Sequence, residues 1–408
     1  LTLFLYLRID SVFFSYFCNI DSKLYTTMKQ SKLLFALMGI CLLLGFSSCE
    51  GEDKSVFGDD FEIPELTDAN TIQFTVDATG EWKMLQIIGG GGRMAVEWGD
   101  GRLQKVENTD ANPVVHYKYG NSRTYRVRIW AEELDFCSVG DEIPPLSNLR
   151  LGYLPRMKTL NLNSFLDTPE LDLSTSCPNV ETINIGNWAD LERIDLNQCV
   201  KIQTIDVYSN PKLKLLKLGQ LPALRSLKCI FNDALTSLSF KGVTNLSDVQ
   251  CGSNSQLSII ETDGKVNVRD LSISDCAFQS LEFINSFPLL QKLECSSNYL
   301  TTLDISELSF LQSIDCSANR NLVHLQIPEQ NPIHPILQDL DCSFCSLNEE
   351  ELNAIFSTLP VAPNPYPEYP SSYGVTFNGN PGAGNCNWKL IEDKGWNIIV
   401  KSEDLINR

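Results

Sequence analysis

The chain has 408 residues, with 51 acidic and 32 basic side chains, and a formal net charge of −19 at pH 7. This length allows two or three domains, and the charge argues against nucleic acid and anionic membrane surfaces as partners. With three histidines and no H-E-x-x-H, G-x-S-x-G or P-loop motif, the chain is expected to be non-enzymatic, without cofactor or metal.

The N-terminal residues up to Cys49 are interpreted as a targeting sequence. Residues 1–27 start without Met and are interpreted as an extension of the gene model. A basic start at Met28, an apolar run over 33–46 and the triplet Ser47-Ser48-Cys49 predict a secretory signal peptide. The segment resembles the signal peptide of bacterial lipoproteins. The resemblance implies that residues 28–48 are removed, that Cys49 carries a lipid, and that the protein contacts the membrane only through that lipid. A transmembrane anchor is the alternative, although about 14 apolar residues are few for a span.

Residues 49–69 are acidic and contain proline, which predicts a flexible tether. The cluster Glu50-Gly-Glu52-Asp53 resembles the surface-export signal of Bacteroidetes lipoproteins. That resemblance implies a lipid-anchored protein of the outer membrane that is exposed on the cell surface.

Residues 70–139 alternate short apolar strands with turn signals, and they predict a small β-sandwich. The run Gly89–Gly92 is expected to be a hairpin turn. The segment Val96-Glu-Trp98-Gly-Asp100-Gly101 resembles the W-G-D-G turn of PKD-type sandwiches. The resemblance implies that Trp98 packs in the core and Asp100 closes a turn, with metal or sugar binding there as the alternative.

The motif L-x-x-L-x-C-x-x-N returns about every 22 residues over 140–345. A fixed period of this size indicates a solenoid, and the pattern is that of a leucine-rich repeat. The second apolar anchor of each copy falls at Leu160, Ile183, Ile205, Leu227, Val249, Leu271, Leu293, Ile314 and Leu340.

A second L-x-x-L-x-L lies about 11 residues after each first one, as in Leu300-Thr-Thr-Leu303-Asp-Ile305, and leaves no room for a long helix. We therefore expect a thin, mainly β solenoid with a parallel sheet on one face and extended or 3₁₀ segments on the other. A right-handed β-helix is the competing interpretation.

Polar and sulfur side chains recur at inward positions of the repeat. The amides at the last motif position can satisfy the backbone of the bend, whereas Phe165 and Trp188 in the same slot predict irregular early coils. Thiols one coil apart behave as small apolar groups and are expected to be buried rather than bridged. Cys342 and Cys345 have the spacing of a zinc or redox pair, but the repeat explains both positions. The amides are Asn210, Asn232, Asn254, Asn298 and Asn319, and the thiols are Cys229, Cys251, Cys295 and Cys316.

Residues 346–408 predict an irregular α/β cap that covers the open end of the solenoid. Asn348 and Glu351 fit a capping box that opens a helix through Leu359. The tail Asn380-Pro-Gly with Lys394-Gly-Trp396 resembles that of leucine-rich-repeat lipoproteins from gut Bacteroidetes. Together with the signal, sandwich and repeats, this resemblance implies a cell-surface protein that binds or adheres.

The candidate ligand-binding residues are outward positions of the regular strands. They join an aromatic, an apolar and a cationic side chain to an acidic flank, which is expected to favour a basic protein partner such as a host surface or matrix protein. The alternative function is glycan binding in support of a polysaccharide importer. The remaining interpretation is that these outward residues are solvated and bind no ligand. The residues are Tyr208, Lys228, Ile230, Asp206, Gln250, Glu294, Asp315 and Asp341.

Overall fold

The computed structural model describes residues 56–80, 84–107, 113–140, 144–329, 336–363 and 372–400, which all lie in one compact unit that begins at Lys54. The signal peptide of 28–48 and Cys49 lie outside the described residues. Within the described ranges, no helix has the length and apolar character needed to cross a membrane.

Short strands dominate the secondary structure. The strands of the N-terminal part are β1 (Val56–Gly58), β2 (Thr71–Asp77), β3 (Met84–Gly90), β4 (Arg93–Glu97), β5 (Leu103–Glu107), β6 (Val114–Lys118), β7 (Thr124–Ala131), β8 (Phe136–Val139) and β9 (Leu146–Leu151). The remaining strands are β10 (Thr159–Asn163), β11 (Glu170–Asp172), β12 (Thr182–Gly186), β13 (Arg193–Asp195), β14 (Thr204–Tyr208), β15 (Leu215–Lys217), β16 (Ser226–Ile230), β17 (Ser237–Ser239), β18 (Asp248–Gln250), β19 (Ile259–Glu261), β20 (Asp270–Ser272), β21 (Lys292–Glu294), β22 (Thr302–Asp304), β23 (Ser313–Asp315), β24 (His324–Gln326), β25 (Asp339–Asp341), β26 (Gly374–Thr376) and β27 (Asn397–Ile399). The helices are α1 (Leu173–Ser176), α2 (Glu349–Thr358), α3 (Lys389–Glu392) and a 3₁₀ helix (Glu282–Ser286).

The N-terminal part is a two-layer β structure with an aromatic core. One layer is a six-stranded sheet in the order β1-β5-β4-β7-β2-β9, and the other contains β6, β3 and β8. Trp98, which follows β4, stacks on Tyr117 of β6 with ring centroids 4.6 Å apart, and Tyr119 stacks on Tyr125 of β7 at 4.1 Å. Trp98 is therefore a core residue, as its motif implied.

The predicted boundary between residues 139 and 140 does not match the strand pairing, because two strands next to it were assigned to the wrong region. Strand β8, assigned to the sandwich, pairs in parallel with β10 and opens the solenoid sheet. Strand β9, assigned to the repeats that were predicted from residue 140, instead pairs with β2 and completes the sandwich. The two regions therefore share one continuous sheet of 14 strands, because parallel pairing with a first coil covers the apolar end of a solenoid.

The described part of the predicted tether also differs from expectation. Val56–Gly58 pairs in parallel with Leu103–Lys105, and the indole of Trp130 donates to the Pro64 carbonyl at 2.9 Å. These contacts hold the described residues 56–69 against the sandwich, so the predicted flexibility is wrong for this stretch. Residues 49–55 of the predicted tether lie outside the described residues. The expected hairpin at Gly89–Gly92 is wrong as well, since β3 and β4 lie in different sheets.

The repeat is a leucine-rich-repeat solenoid with coils of about 22 residues, as predicted. Strands β10 to β25 of the regular face pair in parallel, and the apolar anchors lie opposite one another from Leu160 to Leu340. The second motif forms short pairs, such as Leu171 with Ile194 and Leu303 with Leu325, and one 3₁₀ helix after Leu281. Consecutive coils bury their apolar edges jointly, and all the anchors are buried.

A column of buried amides closes most of the bends. Asn254 shows the pattern: its Nδ2 donates to the carbonyl of Cys229 in the preceding coil at 2.7 Å, and its Oδ1 accepts from the backbone N–H of Asn232 at 2.7 Å. The residue before each slot has left-handed backbone, with φ between 54° and 63° at non-glycine positions. These left-handed residues are Ser164, Asn187, Ser209, Phe231, Ser253, Asp275, Ser297, Ala318, Phe344 and Gly379.

The predicted irregularity is wrong for the Trp188 coil. The Trp188 indole N–H donates to the Leu162 carbonyl at 2.9 Å, which is the contact that Asn210 makes with Ile185 one coil later. An indole is longer than an amide but carries a donor that reaches the same acceptor. Strands β10 and β12 accordingly pair over five residues without a register shift.

The ladder thiols are buried, as predicted, and Cys342 and Cys345 occupy repeat positions. Cys229, Cys251, Cys295 and Cys316 are fully buried free cysteines. The Cys345 thiol fills the amide slot and donates to the carbonyl of Cys316 at 3.4 Å. Burial raises the pKa of Cys229 to about 12 and the pKa of Cys251 well above its usual value, so these thiols stay protonated.

We expect the four ladder thiols to resist alkylation in the folded protein. The thiolate is the reactive form, and a pKa near 12 leaves almost none of it at mildly alkaline pH. Titration with a maleimide should therefore count these thiols only after denaturation. Intact-mass evidence that any of them is paired in a disulfide would contradict the prediction.

The C-terminal cap follows the prediction closely. Asn348 accepts from the backbone N–H of Glu351 at 2.9 Å and opens α2, which ends before Leu359. The Asn380 amide rejoins the ladder by donating to Cys342 at 2.8 Å. Strands β26 and β27 then extend the regular sheet to the end of the described chain.

Candidate functional site

The regular strand face presents its outward side chains in straight columns. The middle column places Asp206, Lys228 and Gln250 opposite one another on consecutive coils, and a second column places Gly186, Tyr208 and Ile230. Parallel strands are about 4.8 Å apart, so side chains on adjacent coils contact each other. The strand register therefore brings the predicted candidate residues of coils 206 to 250 into one patch.

Tyr208 lies flat on the face rather than projecting from it. Its hydroxyl donates to Asn163 Oδ1, two coils away, at 3.1 Å. The ring covers Gly186, where a Cβ atom would overlap it. Because Gly186 has no side chain, the Tyr208 ring can lie flat against the sheet. Tyr208 therefore exposes the face of its ring to a ligand rather than a free hydroxyl.

Lys228 connects the aromatic and acidic parts of the patch. Its Nζ lies 3.4 Å from Asp206 Oδ2 and 5.8 Å from the centroid of the Tyr208 ring. Both contacts hold the ammonium close to the sheet. The half-buried Ile230 lies beside Tyr208 in the next coil, so the patch combines apolar surface with a fixed charge.

Phe231 belongs to this patch and was missed in the sequence. It occupies a left-handed bend position, with φ of 57°, and 47% of its surface is exposed. Left-handed backbone is unfavourable for a bulky residue. Phe344 at the equivalent bend packs its ring over Gly379, whereas Phe231 is followed one coil later by Ser253. An aromatic residue directly before the ladder Asn was the signal that could have identified it.

We use the name apolar patch for Tyr208, Lys228, Ile230 and Phe231. On its C-terminal side the outward columns become acidic. Burial, followed by the nearby Asp248 carboxylate, raises the pKa of Asp270. Lys292 forms an ion pair with Glu294 at 2.5 Å. We call Asp248, Asp270, Glu294, Asp315 and Asp339 the acidic flank.

Asp341 was predicted to be a site residue, but its side chain is buried in the structure. It is only 4% exposed, and its Oδ1 accepts from the backbone N–H of Ser343 at 2.9 Å and from the Ser343 hydroxyl at 2.6 Å. On the next coil the buried Thr376 lies opposite it. A carboxylate that is folded back in this way cannot contact a ligand, so its assignment as a binding residue is wrong.

The W-G-D-G turn was the alternative site for metal or sugar binding, but its carboxylate bonds to other residues of the protein. Asp100 Oδ1 accepts from the backbone N–H of Arg102 at 3.1 Å, and its other oxygen accepts from the Tyr117 hydroxyl. Asp100 therefore closes the turn, as its motif implied. Across the described ranges, no three His, Cys, Asp or Glu side chains are grouped so that they could hold a metal ion.

Comparisons with known proteins add one structural likeness. No protein-family model matches the chain, and no curated protein matches it. Among solved structures, the functional domain of InlJ from Listeria monocytogenes, which includes a cysteine ladder, is similar at 19% sequence identity and a TM-score of 0.39. The match covers 57% of this chain and 50% of that one, so the chain spans about half the length of its neighbour.

Proposed function

We propose that the protein is a non-catalytic binding protein whose regular strand face binds a protein partner through the apolar patch. In this proposal Cys49 carries a lipid that holds the protein at the outer cell surface, and the partner is a host surface or matrix protein. The acidic flank attracts a basic region of that partner and sets its orientation.

The exposure of Phe231 carries the proposal. A bulky side chain in left-handed backbone costs on the order of 1 kcal/mol, and the ring of Phe231 is not packed in the core, since 47% of the residue is exposed. Ile230 directly precedes Phe231 in the chain and lies opposite Tyr208 on the neighbouring coil. An aromatic anchor with apolar neighbours and a charged rim is the composition of a protein-binding hot spot.

Site-specific crosslinking tests which face binds. A photoreactive phenylalanine analogue placed at Phe231 should crosslink a partner protein, whereas the same analogue at Val323 should not. Val323 is 53% exposed and lies beside β24 on the opposite face, so it matches Phe231 in accessibility. Equal crosslinking from both positions would show that the strand face has no special role.

The partner identified in this way should bind the double variant Tyr208→Ala, Ile230→Ala more weakly by about 2 kcal/mol or more. Both side chains lie in the apolar patch, and both are half-buried. Calorimetry gives the affinity, and Tyr208→Phe is the control, because it keeps the ring and removes only the hydroxyl that bonds to Asn163. Unchanged affinity of the double variant would place the interface elsewhere.

Replacing Cys49 by Ala tests the proposed lipid anchor. Without the thiol no lipid can be attached, so the variant should move from the membrane fraction to the soluble fraction. Fractionation followed by immunoblotting measures this. A variant that stays in the membrane with its leader intact would mean that the apolar run of 33–46 is a transmembrane anchor.

A further inference from the structure

The sandwich has a polar depression on its six-stranded sheet that lies apart from the apolar patch. It is lined by side chains on the outer face of β2, β7 and β9 and by the backbone of the buried Phe74. Arg150 lies opposite Gln73 on one side, and Arg126 lies opposite Thr75 on the other. We call Gln73, Thr75, Arg126, Asn148 and Arg150 the arginine depression.

A bulge in β9 shapes this depression. The register between β2 and β9 shifts between Gln73 and Thr75, and Asn148 in the bulge has left-handed backbone with φ of 54°. The Asn148 amide lies 3.5 Å from the Thr75 hydroxyl. Bulges redirect side chains at sheet edges and beside binding sites, and this one places an exposed amide next to Arg150.

No ion pair among the described residues neutralises the charges of the depression. Within the described residues, neither Arg126 nor Arg150 forms an ion pair, whereas the neighbouring Arg128 is paired with Glu97 at 3.4 Å. The nearest carboxylate along β2 is Asp77, which accepts from Thr79 instead. Two exposed guanidinium groups therefore line one depression without an ion pair to any described residue. Guanidinium groups bind carboxylate and sulfate in paired hydrogen bonds.

We propose that the arginine depression binds the acidic groups of an oligosaccharide. The guanidinium groups would bind carboxylate or sulfate, while Gln73, Thr75 and Asn148 supply hydrogen bonds to sugar hydroxyls. The depression exposes no aromatic or apolar side chain, because Phe74 is 1% exposed. A protein partner would need such an anchor, and a single-stranded nucleic acid would need aromatic stacking surfaces.

Binding of short acidic sugars to the folded chain tests this proposal. Trigalacturonate carries carboxylates, a heparin hexasaccharide carries mainly sulfates, and maltotriose is the neutral control. At low ionic strength calorimetry should detect one or both acidic probes and not maltotriose, and the probe that binds identifies the acidic group. Short probes carry few charges, which limits their total repulsion by the rest of this acidic protein.

The variant Arg126→Gln, Arg150→Gln should lose at least about tenfold in affinity, the effect of one charge-assisted hydrogen bond or more. Both residues are exposed, so the variant should keep the wild-type melting temperature. The matched control is Arg225→Gln, Arg320→Gln, which removes the same charge from exposed positions on the solenoid. Absence of binding, or equal weakening in the control, would overturn the proposal. Neither result would bear on the proposed function of the strand face, which is tested separately by crosslinking at Phe231.

Discussion

Replacing Asn254 by Ala should lower the free energy of unfolding by about 4 kcal/mol, the largest stability loss that we expect from a single polar substitution. The amide Nδ2 of Asn254 lies within 2.7, 2.8 and 3.3 Å of the carbonyls of Cys229, Cys251 and Gly252. Its Oδ1 accepts the Asn232 backbone N–H. The substitution removes the side-chain partner of the buried Cys229 carbonyl and of the buried Asn232 N–H, and each such group costs about 1–3 kcal/mol.

Two further variants separate this cause from a general loss of packing. Asn254→Cys should lose clearly less than Asn254→Ala, because Cys276 in the equivalent slot donates its thiol to the Cys251 carbonyl at 3.3 Å. Gln250→Ala, at an exposed position of the same coil, should change stability by less than about 0.5 kcal/mol. Urea unfolding measures all three. Equal midpoints for Asn254→Ala and Gln250→Ala would refute the ladder's role.

Replacing Phe231 by Gly should weaken partner binding by about 2–4 kcal/mol while leaving the protein as stable as before or slightly more stable. Binding falls because the exposed aromatic anchor is lost. Stability is kept because glycine adopts a φ of 57° without strain, which offsets the entropy that glycine gains in the unfolded chain. Loss of binding without loss of folding is the combination expected of a residue retained for its ligand.

The control is Ser253→Gly, the same backbone position one coil later. It makes the same change in backbone freedom and removes no apolar side chain, so affinity should be unchanged. Melting temperature and affinity for the crosslinked partner should be measured on both variants. If Phe231→Gly lowers the melting temperature by many degrees and keeps its affinity, the ring is a structural residue.

The repeat period was sufficient to predict the solenoid and its register. One apolar anchor per coil, from Leu160 to Leu340, defines which residues lie opposite each other, because a shift by one residue would turn the anchors to solvent. The same alternation placed Asp206, Lys228 and Ile230 outward and side by side. These parts follow from spacing alone.

Contacts that depend on side-chain length and on neighbouring coils could not be predicted in this way. The Trp188 indole supplies the donor that an amide supplies in later coils, and the Tyr208 ring lies flat because Gly186 has no side chain. Asp341 has the same motif position as Lys228, yet it bonds to Ser343 and is buried. The left-handed bend that exposes Phe231 is a property of the backbone, and the L-x-x-L pattern does not report it.

The boundary between the two regions was mispredicted because the chain alternates between them. Strand β8 at Phe136–Val139 belongs to the solenoid sheet, and β9 at Leu146–Leu151 returns to the sandwich. A change of periodicity along the sequence marks where the repeat pattern begins. It does not mark which sheet a strand joins, since one strand on each side of that point pairs with the other region.

This alternation affects how the protein can be divided and how it bears force. A cut after residue 139 would separate β9 from the sheet that it completes, so the repeats cannot be exchanged as a module without damage to the sandwich. Mechanical tension applied at the N-terminal end enters the repeats through a hydrogen-bonded sheet, by the β8–β10 pairing. The strand face would therefore keep its orientation relative to the sandwich under load, and the two regions are expected to evolve as one unit.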